Sequence, residues 1–294
     1  MDYQSALRNL KLRHEFFIGI DSDGCVFDTM DVKQKEFFIP NAIKYFNLYD
    51  ISEELRETWE FVNLYSIFRG GNRFVSIVKV FELLEKRKKI RDKNCKLPDL
   101  NSLKEWIKRE SKLSNANLRT YFESAYDPDL EKVVNWTEAV NTEISLRLRN
   151  IPPFPHASVA VEQLSTIADI VIVSQTPLEA LVREWKEHDL MRYVNTIAGQ
   201  EHGTKTEHLA IAAKGKYSEN KILMIGDAKG DLTAAKNNDI LFYPIIPGNE
   251  DESWKNFIDE GLKKFINGKF SGSYEDELLR RFNASLPENP PWRE

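Results

Sequence analysis

The chain has 294 residues, 46 of them acidic and 41 basic, for a formal net charge of -5. That length suits one core domain with a substantial insertion, and the acidic balance excludes the basic footprint of a nucleic-acid binder. Cys25 and Cys95 form no disulfide framework or metal spacing and no stretch is apolar enough for a signal peptide or a membrane span, so a cytoplasmic protein with no membrane contact is expected.

The first informative element is Phe16-Phe17-Ile18-Gly19-Ile20, an apolar run that predicts a buried parallel strand. It delivers Asp21 and Asp23, one residue apart, onto a turn at Gly24. Residues i and i+2 at a strand's end point to the same side, so the two carboxylates can face one reaction centre. Open α/β sheets place their ligands at that end. Converging carboxylates repel one another unless a cation or a shared proton offsets them, so the pair implies Mg2+ or proton transfer. Asp28 with Thr29 reads as the cap of the next helix.

From 31 to 151 no buried strand is evident and helical spacing dominates. Asp31 to Asn47 is amphipathic, with Pro40 expected to kink or divide it. Helical patterns follow from Ser52, through Phe74 to Leu84, after Pro98-Asp99, and from Asp127-Pro128 to Leu148. Between the second and third of these helices, Asn63 to Arg73 breaks the periodicity with Gly70, Gly71, Arg69, Asn72 and Arg73. Its arginines either grip an anionic part of a substrate or cap helix ends and pair with acids. Lys86 to Lys89 with Arg91, Lys93 and Lys96 reads as a solvated basic cluster near a helix C-terminus.

Pro152-Pro153-Phe154-Pro155 marks the return to the core. Asp169 to Val173 predicts a second buried strand, ending at Ser174-Gln175-Thr176-Pro177. Gly203 to Leu209 opens a helix carrying Lys205, and Lys221 to Asp231 reads strand, turn, helix with Asp227 and Asp231 in the turn. Ile240 to Ile246 is expected as a strand, Glu250 to Ile266 and Glu275 to Phe282 as helices, and Leu286 to Glu294 as a fraying tail.

Asp21-x-Asp23-Gly24-x-x-x-Asp28 resembles the first motif of the haloacid dehalogenase-like hydrolase superfamily, and three further pieces follow in that family's order. The resemblance implies Asp21 as the nucleophile at phosphorus and Asp23 as general acid, then base. Ser174 matches the second-motif hydroxyl that holds a phosphoryl oxygen, and Lys205 the third-motif lysine. Asp227 and Asp231 match the acidic pair of the fourth motif. Mg2+ would be held by Asp21, the Asp23 carbonyl and Asp227, with Asp231 either holding a metal-bound water or pairing with Lys205. The helical insertion resembles the family's cap, with Arg69, Asn72 and Arg73 as its candidate substrate contacts.

The expectation is therefore an α/β protein: a Rossmann-like doubly wound parallel sheet from 1–30 and 152–294, with an all-α cap from 31–151. Its implied activity is Mg2+-dependent hydrolysis of a small phosphorylated metabolite. The alternatives are a phosphotransferase of the beta-phosphoglucomutase type and a non-catalytic binding protein on the same fold. The acid at Asp23 argues against a dehalogenase, and the missing Asp-x-Ala motif against a phosphonatase.

Overall fold

The computed structural model describes residues 3–93 and 95–292. They form two compact units, one of Met1–Met30 with Arg149–Leu286 and one of Asp31–Leu148 with Pro287–Glu294. The first unit is a five-stranded parallel sheet flanked by helices. Its strands are β1 (Phe16–Ile20), β2 (Ala168–Val173), β3 (Thr196–Ala198), β4 (Ile222–Gly226) and β5 (Leu241–Pro244). They are ordered β3-β2-β1-β4-β5, with β1 at the centre. A strand with neighbours on both sides and helices on both faces has no wet face, which is why β1 and β4 read as unbroken apolar runs and β2 as one broken only by Asp169. Ile20 is in register with Ile172 of β2 and Ile225 of β4, so the loops after these three strands emerge side by side.

Two strands depart from the sequence expectation. β3 has three residues, too few to show a period in the sequence, and β5 is shorter than expected, ending at Pro244. Asp169, buried inside β2, needs partners. It accepts from the Arg13 and His14 amides, from Asn195 Nδ2 and from the Tyr217 hydroxyl, at 2.8–3.2 Å. That carboxylate is occupied in closing the N-terminal end of the sheet.

Within the second unit the described secondary-structure elements are helices. Trp59 and Trp136 are buried edge to face at 5.7 Å, and the Trp136 indole donates to the Phe38 carbonyl at 3.2 Å. Pro40 does not divide the first helical stretch. The π-helical turn Gln34–Phe38 precedes it, and Pro40 falls at the start of the helix Ile39–Tyr45, where the missing N–H disturbs the ladder least. The basic cluster is largely paired inside this unit: Arg87 with Glu57, Lys89 with Glu54 at 3.4 Å, and Lys93 with the Asp50 carbonyl at 2.8 Å.

The tail differs from the expected fraying segment of the core. Residues 287–292 belong with the helical unit. The Ile67 amide donates to the Pro287 carbonyl at 3.3 Å, Trp292 meets Phe61 edge-on at 5.4 Å, and the Arg87 guanidinium lies 4.7 Å from the Trp292 ring centre. A large aromatic at the end of a proline-rich segment anchors it where composition alone suggests disorder. Residues 293 and 294 lie outside the described residues.

Candidate active site

Four loops at one edge of the sheet supply the site. After β1 the chain turns at Gly24, whose φ of 82° lies in the left-handed region that favours glycine. The Asp21 amide continues the sheet by donating to the Ile225 carbonyl at 3.0 Å, which fixes the nucleophile candidate at the strand's end. Two residues on, Asp23 Oδ1 accepts from the Thr29 hydroxyl at 2.5 Å. Thr29 is fully buried, so this bond sets the orientation of the Asp23 carboxyl. Reading Thr29 as part of a helix cap missed the partner, because the turn that brings residue 29 back onto residue 23 is a tertiary fact.

After β2, the Ser174 amide donates to the Ala198 carbonyl at 3.0 Å and its Oγ accepts from the Thr176 amide at 3.2 Å. That leaves the hydroxyl hydrogen to donate. Gln175 Nε2 donates to the Ser174 and Gly203 carbonyls, at 3.3 and 3.0 Å, tying this loop to the one before Lys205. Thr204 and Glu207 form a capping box, with Glu207 N donating to Thr204 Oγ1 at 3.2 Å and Thr204 N to Glu207 Oε2 at 2.7 Å. Lys205, the first residue of the helix Lys205–Ala212, is thereby aimed inward.

Lys205 Nζ lies 2.8 Å from Asp21 Oδ2 and 2.5 Å from Asp231 Oδ1. The other oxygen of Asp231 accepts from the Ala228 amide at 3.0 Å, so both of its oxygens are engaged. Gly226 makes room for this: a Cβ there would stand 2.4 Å from Asp231 Cγ. Burial works against the Lys205 charge, but Asp21 and Asp231 outweigh it and hold the ammonium well above the usual lysine range. Burial, with Asp227 and Asp21 nearby, pushes the Cys25 thiol well up, so it stays protonated and is no competing nucleophile.

Asp21, Asp227 and Asp231 are all buried, and each offers an oxygen within 4.8 Å of the others. Lys205 is shared by Asp21 and Asp231, and three carboxylates this close together favour a further positive charge among them. Hard oxygen donors gathered this closely suit a divalent cation such as Mg2+; Asp21, whose oxygens meet Lys205 and the Ser22 amide at 2.8 Å each, is engaged in the same way as Asp231.

The three cap candidates are held inside the helical unit. Arg69 is buried and donates to the Leu64 carbonyl at 2.9 Å, at the end of the helix Ser52–Leu64. Asn72 caps the helix Arg73–Lys86 by accepting from the Phe74 amide at 3.0 Å, and donates to the Leu113 carbonyl at 3.1 Å. Arg73 donates to Thr137 at 2.9 Å and Asn141 at 2.7 Å and lies over Phe38, where burial brings its pKa down to about 10. The Arg69 bond is of the helix-capping kind, whereas the Arg73 partners are neither a helix end nor an acid.

The family model of the haloacid dehalogenase-like hydrolases matches residues 100–244. The match contains Ser174, Lys205, Asp227 and Asp231, and the Asp21–Asp23 pair lies ahead of it in the sequence. The matched stretch is just under half of the chain, and with the four-loop site it makes the chain similar to the haloacid dehalogenase-like hydrolases, a class of enzymes. Among solved structures it is similar to a haloacid dehalogenase-like family hydrolase from Streptococcus pneumoniae, at 13% identity and a TM-score of 0.44, covering 82% of this chain and 90% of that one. A predicted phosphoglycolate phosphatase from Haemophilus somnus is similar at 13% identity and a TM-score of 0.48, with 80% and 88% covered. A predicted phosphatase from Clostridium acetobutylicum is similar at 13% identity and a TM-score of 0.45, with 86% and 99% covered. No curated protein matches the chain significantly.

Proposed function

We propose that the protein is a Mg2+-dependent phosphomonoester hydrolase that acts on a small phosphorylated metabolite through an aspartyl-phosphate on Asp21. The observation that carries this reading is the Lys205 ammonium bridging Asp21 and Asp231 in a buried carboxylate cluster, with Asp23 oriented by Thr29 beside it. A carboxylate cannot approach a phosphoryl group unless the charge of both is offset, and this cluster is built to offset it.

When bound, Mg2+ would neutralise phosphoryl charge, held by Asp21, Asp227 and the Asp23 carbonyl, with Asp231 acting through Lys205. The protein's own groups do the rest. Asp21 attacks phosphorus, forming a new P–O bond as the bond to the leaving alkoxide breaks. Asp23 gives that alkoxide its proton. Asp23 then takes a proton from water as the water oxygen bonds to phosphorus, and the Asp21–phosphorus bond breaks to release inorganic phosphate. Ser174 donates to a phosphoryl oxygen, and the Lys205 ammonium offsets the charge of Asp21. The proposal rests on these core residues; Arg69, Asn72 and Arg73 enter it only as candidate contacts. Among the described residues no helix is long and apolar enough to cross a membrane. Both cysteines are free, which suits a reducing cytoplasm.

Borohydride trapping tests the reading. An acyl phosphate on Asp21 is reduced to homoserine, which peptide mass spectrometry locates. Trapping at position 21 only when a phosphomonoester is present supports the mechanism, and trapping nowhere during turnover contradicts it.

A further inference from the structure

Asp21 and Asp23 stand on a loop, and a loop that aims two reacting groups has to be held as firmly as the strand before it. Part of that hold is backbone. The amides of Cys25, Val26 and Phe27 converge on the Ser22 carbonyl at 3.3, 3.0 and 3.1 Å. The rest comes from two tryptophans far away in sequence. Trp185 Nε1 donates to Ser22 Oγ at 3.0 Å, and Trp254 Nε1 donates to the Cys25 carbonyl at 2.8 Å. Both indoles are fully buried, and Ser22 and Cys25 are buried with them.

We propose that Trp185 and Trp254 are positioning residues for the loop 21–28, holding Ser22 and Cys25 so that Asp21 and Asp23 keep their aim. The inference rests on the reading of those two aspartates as the reacting pair. Each tryptophan comes from a different part of the site. Trp185 lies on the helix Leu178–Glu187, which follows Ser174, and Trp254 on the helix Glu250–Asn256, beyond β5. The loop is therefore clamped from two helices at once, and neither can shift without moving an oxygen of the loop. An indole N–H donates and never accepts, so each bond has a fixed polarity. Ring contacts seat the indoles: Trp185 meets Phe27 edge-on at 5.6 Å and Trp254 meets Phe257 at 6.0 Å. Packing explains a large ring at each position, and a phenyl ring would supply most of it. A phenyl ring would keep the contact with Phe27 but not the N–H bonds to Ser22 and Cys25.

The test compares Trp185→Phe and Trp254→Phe with the unaltered full chain, because these changes keep the ring and delete the donor. Three readouts are needed: kcat and KM for Mg2+-supported phosphate release, Tm, and hydrogen–deuterium exchange of the peptide covering 21–28. The expected result is a kcat about tenfold lower for each variant with KM within about twofold, the signature of misaimed groups. Exchange rises in 21–28 while peptides of β2 and β4 stay protected. Combining Trp185→Phe with Ser22→Ala costs no more than either alone, since both remove one bond. Unaltered kcat in both variants overturns the proposal, as does a loss of kcat in which exchange rises across the whole sheet. If the unaltered protein releases no phosphate, the hydrolase reading fails on its own. Exchange then decides the clamp: raised exchange confined to 21–28 sustains it, and unchanged exchange overturns it.

Discussion

The loop after β1 and the loop between the helices Ser52–Leu64 and Arg73–Lys86 look alike as sequence: both break an apolar run with glycine and charged residues. Their charges are treated in opposite ways. In the cap loop, Arg69, Asn72 and Arg73 spend hydrogen bonds on nearby carbonyls, hydroxyls and amides of the same unit. In the core loop, Asp21 is turned toward Asp227 and Asp231, and Asp21 and Asp231 share one lysine. Self-satisfied polar groups stabilise a fold; crowded like charges cost stability and are tolerated where they do chemistry. The comparison separates two kinds of polar loop that composition cannot separate.

The hardest way to strain that comparison is to remove the balancing charge. Lys205→Met is expected to lower phosphate release by about 10³-fold or more, since a preorganised charge at the reacting centre is lost. It should also destabilise the metal-free protein by about 3–5 kcal/mol, because the buried carboxylates lose their counter-ion. Urea unfolding with and without Mg2+ measures this, and equal stability in both variants would sink the electrostatic account. Next comes Gly226→Ala, which drives a methyl into Asp231 and displaces Lys205 with it. About a hundredfold loss of kcat is expected from a shift of that kind.

His208 offers a milder test in the core. It is fully buried, and neither ring nitrogen has a hydrogen-bond partner among the described residues. Burial, with His202 and Lys205 adding to it, lowers its pKa to about 4. The folded protein therefore resists a proton that the unfolded chain accepts near pH 6.5. Its contribution is fully present above pH 6.5 and is lost as pH falls toward 4, amounting to about 3 kcal/mol. His208→Leu should flatten stability against pH across that window in denaturant titrations. An unchanged slope would show that His208 does not carry the acid sensitivity.

The smallest effects lie in the helical unit. Arg73→Ala should cost roughly 1–3 kcal/mol of stability through its lost partners at Thr137 and Asn141, with KM unaltered. A tenfold rise in KM at preserved stability would instead make Arg73 a substrate contact. Trp292→Ala should lower stability by about 1 kcal/mol, through the contacts with Phe61 and Arg87. No change there would return the tail to the fraying segment that its composition suggests.

How much of this was legible depended on whether a feature was local. β1, β2 and β4 were readable because a buried parallel strand is a short, mostly apolar run, and each is followed at once by its candidate site residue: Asp21, Ser174, Asp227. The stretch from Gly203 to Leu209 read as a helix start carrying Lys205 for the same reason, although its capping box went unread. Features that depend on distant pairing stayed hidden. The Thr29 bond to Asp23 and the indole bonds to Ser22 and Cys25 join residues whose types are unremarkable where they stand. Asp231 could be read as a ligand or as the partner of Lys205, and only the geometry engages both of its oxygens. β3 was too short, and the tail's docking turns on one tryptophan.

The central claim is that Asp21, balanced by Lys205, attacks a phosphoryl group with Mg2+ present. Phosphate release measured across sugar phosphates, nucleotides and phosphoacids tests it most directly, run with Mg2+, with EDTA, and with Asp21→Asn. The account predicts release from at least one compound that EDTA abolishes and that Asp21→Asn reduces by about 10⁴-fold. Release that survives either EDTA or the Asp21→Asn change, or no release from any compound, would contradict it.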